Sequence, residues 1–227
     1  MHSLKYKYSY YLLAIYLLSI LLTMATANKL IYVFDFILPG GIFIFSLTFI
    51  INDIAAEVYG YSYPRMFIWL GLMSELVFSL YSIGISSLSS PIFCHSSAAY
   101  AAVFDPTFRF FFASLIGVFI GEFLNIICMS KLRSSTKIKS FIFRSLLSTF
   151  IGQLSLSIIV DIVAFLGKTE GVLNLIHLMF FGFLIKMAMA IIFVVPAWVI
   201  VDYLKRKENL VKLEPTENYN PFSLELT

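Results

Sequence analysis

Five carboxylates and one amine sit in stretches that are otherwise apolar: Asp53, Glu57, Glu75, Glu122, Asp161 and Lys186. An ionisable side chain at the centre of a bilayer costs about 2.5–3.5 kcal/mol on insertion scales. Six such groups cannot all face lipid, so they must face one another or a wet cavity. At about 1.5 Å per helical residue, Glu75 lies about 15 Å into its segment, Glu122 and Gln153 about 20 Å, and Lys186 about 21 Å. These four residues come from four segments and reach one depth, which suits a buried pocket for a small solute. Asn125, three residues from Glu122, shares its helical face, and Asp53 and Glu57 share another face nearer one membrane surface. Asp161 falls close to the opposite surface and reads as interfacial, as do His95 and His177. Plainer roles stand beside these. Lys186 can neutralise Glu122 or Glu75 in a structural ion pair, Gln153 can hydrogen-bond two helices together, and Glu57 with Tyr59-Gly60-Tyr61 can be a helix end with interfacial aromatics.

Catalytic motifs are missing. No His-Glu-x-x-His and no Gly-x-Ser-x-Gly occurs, so neither a metal centre nor a nucleophile is expected and the chain does not read as an enzyme. Gly167-Lys168-Thr169 resembles the end of a phosphate loop, but Ile162 stands where its first glycine belongs. No cofactor is expected. Cys94 and Cys128 read as two unpaired thiols.

The elements that position these residues are six apolar segments, each long enough to span a bilayer: approximately Tyr8–Ala25, Leu38–Tyr59, Arg65–Leu88, Arg109–Lys131, Ser140–Leu166 and Val172–Leu204. The chain is 60% apolar and 13% charged, where soluble domains carry about 25% charge. That surplus must meet lipid. Lys5 and Lys7, the run Tyr10–Leu22 and Ala25-Thr26-Ala27 mimic a cleavable signal, but the polytopic remainder favours a retained first helix. Pro39-Gly40-Gly41 opens the second span, Gly60 and Pro64 separate the second from the third, and Gly167 and Gly171 bracket a tight turn. Pro196 is a potential kink in the long sixth segment. Residues 1–207 form the transmembrane domain, and 208–227 read as a disordered tail. Ile120-Gly121-Glu122 recurs as Ile151-Gly152-Gln153, an echo of the repeats from which transporters are built.

Twelve of the sixteen Lys and Arg fall on the side of the amino terminus, the second-to-third turn, the fourth-to-fifth loop and the carboxyl terminus, against Lys29, Arg109 and Lys168 on the other. Positive residues stay inside, so both termini are expected to be cytoplasmic. The basic excess belongs to membrane-flanking loops, and no nucleic acid partner is expected. The fold class is an all-α integral membrane protein, a bundle of six transmembrane helices.

The stretch Asn52-Asp53-Ile54-Ala55-Ala56-Glu57-Val58-Tyr59-Gly60-Tyr61 resembles the queuosine-precursor transporters, the YhhQ-type or vitamin-uptake-transporter (VUT) family, whose signature is close to Asp-x-x-x-Glu-Val-Tyr-Gly-Tyr. Ala27-Asn28-Lys29 and Pro39-Gly40-Gly41 resemble the family's Asn-x-x-x-Lys region and the Leu-Pro-x-Gly start of its second helix. Arg144, Ser148-Thr149 and Gln153 resemble its Arg-x-x-x-Ser-Thr-x-x-x-Gln pattern, and Ala164-Phe165, Lys186 and Pro196 its closing helices. Two departures stand out. The family's fifth helix usually reads Gln-x-x-Asp-Thr, here Gln153-Leu154-Ser155-Leu156-Ser157; its fourth carries Gln-x-x-Asp, here Glu122-Phe123-Leu124-Asn125.

The resemblance implies uptake of 7-deazaguanine bases such as preQ0 or preQ1 across the cell inner membrane. It implies a substrate site drawn from Glu122, Asn125, Gln153, Lys186, Glu75, Asp53, Glu57 and Asn28. Partners would be this small molecule and the lipid bilayer; the sequence leaves open a homo-oligomer, an energising partner and the coupling ion. The alternative is a non-transporting membrane subunit, its polar residues joining helices and its basic loop 131–144 docking a partner or anionic lipid.

Overall fold

The computed structural model describes residues 6–91, 93, 96–134, 138–167, 171–208 and 219–223. The elements run α1 (Lys7–Thr26), β1 (Leu30–Val33), β2 (Phe36–Pro39), α2 (Ile42–Tyr59), α3 (Ser62–Ser86), α4 (Ser97–Phe104), α5 (Thr107–Ser134), α6 (Phe141–Phe165) and α7 (Val172–Lys207). Six helices are long and apolar enough to cross a membrane, α4 and α5 counting as one across Asp105-Pro106.

Helix α2 is the axis. Over its most apolar stretch 83% of residues are buried, against 28–61% in the other five, so α2 is walled in by neighbours while the rest turn apolar faces outward. Ile191, Ile192, Val195 and Val199 of α7 are all more than half exposed, as lipid-facing residues must be. Tight turns hold α2 in place. Gly60 ends it at φ +89°, where only glycine sits without strain, and α3 begins two residues later. At the other end of the chain α7 runs unbroken through Pro196.

Two elements depart from expectation. Residues 30–39 form an antiparallel hairpin, Leu30 pairing with Pro39 and Val33 with Phe36, so the second span opens at Ile42 rather than Leu38. Phe34 and Asp35 make its turn at φ +49° and +65°, the double positive-φ geometry of a two-residue hairpin. The loop after α3 also contains a short helix, α4.

The chain-terminal ends of α1 and α7 meet, the Tyr8 N–H donating to Glu208 Oε1 at 3.0 Å. Arg144 and Lys205 lie at this basic end; the hairpin marks the opposite end. Of the tail expected to be disordered, the described residues 219–223 are docked. Trp69 Nε1 donates to the Pro221 carbonyl at 2.8 Å, and Phe222 packs on the rings of Trp69 and Phe119. The expectations for Cys94, His95 and Lys168-Thr169 lie outside the described residues; Cys128 is a free thiol.

Candidate functional site

Four polar residues of α2 carry a column of buried carboxylates along the bundle axis. Thr48 and Asn52, four apart, face α5. There Glu122, fully buried, accepts from Thr48 Oγ1 at 2.8 Å, Asn52 Nδ2 at 3.0 Å and Tyr16 Oη of α1 at 2.6 Å. Asp53 faces α6 and accepts from Ser145 Oγ at 2.5 Å, Thr149 Oγ1 at 3.2 Å and Asn125 Nδ2 of α5 at 2.9 Å. Both carboxylates are held by hydroxyls and amides, with no cation in contact among the described residues.

Glu57, one turn nearer the basic end, is held differently. Arg144 Nη2 reaches it at 2.7 Å and Lys205 Nζ at 2.6 Å, joining α2, α6 and α7. Arg144 also donates to the carbonyls of Ile138 and Lys139, both at 2.9 Å. Helix α6 starts beside it, its first turn capped by Ser140 Oγ accepting from the Phe143 N–H. A cleft of about 780 Å³, part of it open, lies against this cluster, lined by Glu57, Lys139, Arg144, Trp198, Asp202 and Lys205.

At the hairpin end a second hollow, about 80 Å³ within a partly open space of about 560 Å³, is walled by Phe45, Phe110, Leu156, Val160, Phe165 and Leu178. Thr23, Asp161 and Lys186 supply its polar groups. Lys186 Nζ donates to Ser157 Oγ of α6 at 2.7 Å. Among the described residues it makes no ion pair with Glu122 or Glu75. Asp161 is 4% exposed. The spacing held the signal: Gln153, Ser157 and Asp161 are four apart and share one face of α6.

The echo in the sequence marks a close helix crossing. A methyl group built on Gly152 would stand 2.6 Å from the Gly121 carbonyl oxygen, and one on Gly121 would stand 2.8 Å from that of Gly152. The two glycines let α5 and α6 approach backbone to backbone, with Glu122 and Gln153 each one residue further on.

The structure therefore divides the expected site. Lys186 lines the hairpin-end hollow. Glu122 and Asn125 lie on one stretch of α5 and bond α2 residues. Glu75 accepts from Ser114 Oγ at 2.9 Å, and Gln153 is 1% exposed; neither lines the two hollows described. Asn28 is apart from them all, its amide donating to the carbonyls of Ala102 and Val103 at the hairpin end. Tyr16, Thr48, Ser145 and Asp161 complete the arrangement. One tyrosine among thirteen and single hydroxyls in apolar helices carried no signal of their own.

Several buried oxygens accept nothing among the described residues: Asn52 Oδ1, Asn125 Oδ1, Gln153 Oε1 and Glu75 Oε2. Buried polar atoms without protein partners are uncommon and are met by an ordered water, an ion or a ligand. A family model described as "Putative vitamin uptake transporter" matches residues 39–201. No curated protein and no solved structure matches the chain.

Proposed function

The chain belongs to the vitamin uptake transporter family, as a multi-pass membrane protein, and on that premise we propose that it carries a small, flat, purine-like solute. A queuosine precursor of the 7-deazaguanine type is the substrate, taken up across the cell inner membrane with the basic end in the cytoplasm. The observation that carries this reading is the hairpin-end hollow. Ring faces beside a few polar groups are what a heteroaromatic base needs. Phe45, Phe110 and Phe165 offer faces for the ring, while Asp161 accepts from ring N–H or amino groups and Lys186 donates to a carbonyl.

Leu156 gives the departure from the family pattern a place. It lines this hollow, 1% exposed, where the family usually has a carboxylate. Loss of that charge suits a substrate presenting an apolar edge there. Phe45 and Leu156 each lie three residues from Thr48 and Gln153, so Glu122 and Gln153 stand about one turn behind the wall. They are the next polar station for a solute moving toward the basic end, where the Arg144–Glu57–Lys205 cluster closes the path.

The test is uptake of labelled 7-deazaguanine by purified protein in liposomes, with Gly182→Phe as the key variant. Gly182 lines the hollow, and its nearest neighbours to an added carbon, Ile42 Cδ1 and Leu38 Cδ2, are 3.7 and 3.9 Å away. The first carbon of the new side chain meets only side chains, at ordinary contact distance. Wild type should accumulate the base, and G182F should lose at least about tenfold in uptake with an unchanged unfolding midpoint. Uptake by G182F at the wild-type rate, or none by wild type, would refute the proposal and return the chain to the docking-subunit reading.

A further inference from the structure

We propose that Asp53 is the carboxylate of a binding site for one small monovalent cation, sodium, formed by oxygens of α2, α5 and α6. The purpose of this ion, driving the solute, rests on the transporter reading; the binding itself does not.

Asp53 is 0% exposed, and no Lys, Arg or His among the described residues forms an ion pair with it. The nearest charged cluster is Glu57 with its own two cations, already matched. A carboxylate this deeply buried in a bilayer-spanning bundle needs a compensating positive charge or a proton. Its surroundings supply none, but they supply oxygen. Ser145 Oγ, Thr149 Oγ1 and the Asn125 amide all lie within 3.2 Å of the two carboxylate oxygens.

Hydroxyl, amide and carboxylate oxygens are the ligands of hard cations. Asn125 is 0% exposed, and its Oδ1 has no partner while its Nδ2 donates to Asp53. Turning that amide over places Oδ1 beside the carboxylate, giving five oxygens from three helices around one point. A divalent ion would leave an excess positive charge in the bundle. The close packing of the set favours sodium over the larger potassium.

The neighbours make such an ion consequential. Asn52, next to Asp53 on α2, donates to Glu122, and Asn125 lies three residues from Glu122 on α5. An ion that turns Asn125 and draws α2 toward α6 thus acts on α5, which carries Glu122, and on α2, which donates to it.

The experiment uses the full-length protein, purified in detergent without substrate, at fixed pH and ionic strength. Sodium chloride replaces choline chloride or potassium chloride while the unfolding midpoint is followed, and equilibrium binding of radioactive sodium gives the stoichiometry. The site predicts a saturable rise of the midpoint in sodium alone and one sodium bound per chain. Asp53→Asn should abolish both effects, and Ser145→Ala should weaken sodium binding at least about tenfold. Should D53N fail to fold, the wild-type stoichiometry and S145A decide. No binding to wild type, unaltered binding in S145A or D53N, or a response to acid alone that D53N removes would each overturn the sodium site. Sodium binding without uptake of any deazaguanine would leave this site standing and sink only the substrate.

Discussion

Replacing Gly152 with alanine tests the geometry that aligns the polar column. The new methyl carbon would stand 2.6 Å from the Gly121 carbonyl oxygen and 2.8 Å from both Asn125 Cβ and Phe49 Cε1. Comfortable separations for carbon are about 3.5–4.0 Å, so α5 and α6 must part by about 0.7 Å. The obstructing atoms include backbone, so no rotamer change relieves the clash. Such overpacking costs about 1–3 kcal/mol, and the displaced Asn125 strains its 2.9 Å bond to Asp53. Thermal unfolding in detergent should show a midpoint several degrees lower, with uptake reduced. Gly84→Ala is the control, since an added carbon there meets nothing within 4 Å. If G152A unfolds and transports like G84A, the two helices do not cross at these glycines and the alignment argued from that crossing is wrong.

The ion cluster at the basic end should respond unequally to its two cations. Arg144→Gln breaks a pair whose side chains are 7% and 5% exposed and should cost about 3–5 kcal/mol of stability. Lys205→Gln removes a side chain that is 37% exposed and should cost under about 1 kcal/mol; equal losses in chemical unfolding would contradict the difference in burial. Stopping the chain after residue 218 removes the Pro221 carbonyl and the Phe222 ring from Trp69. In a Trp198→Phe background Trp69 is the remaining tryptophan, so its emission maximum should shift, and an unchanged spectrum would mean that 219–223 do not dock in solution.

The six spans were legible because lipid imposes one requirement over about twenty residues at a time, and Gly60, Gly167 and Gly171 mark turns by conformations that side chains avoid. The hairpin was not. Leu30–Pro39 is as apolar as the span it precedes, and its turn is Phe34-Asp35 instead of the Asn-Gly that announces such turns. Helical depth correctly found residues that are buried, since Glu75, Glu122, Gln153 and Lys186 are all 6% exposed or less. Depth says nothing about direction around the helix axis, so it did not show that Lys186 donates to Ser157 of α6. The four-residue spacing from Ser157 to Asp161 holds the missing angle.

The distribution of partners along the column follows a physical order. At the basic end Glu57 is matched by two full positive charges, Arg144 and Lys205, while at the hairpin end Lys186 donates to Ser157 and lines the same hollow as Asp161. Between them Glu122 and Asp53 are held by neutral donors. Separating a buried ion pair leaves two uncompensated charges, which is prohibitive in a dry core. It is affordable at an end, where each opening admits water to solvate the parted groups. Hydroxyls and amides in the middle can instead exchange one acceptor for another, a base edge or an ion, without ever exposing a bare cation to the bundle. On the proposed carrier reading, opening the basic end would part the Glu57 pairs beside a cleft that admits water, while neutral, rotatable donors would line the path of the cargo.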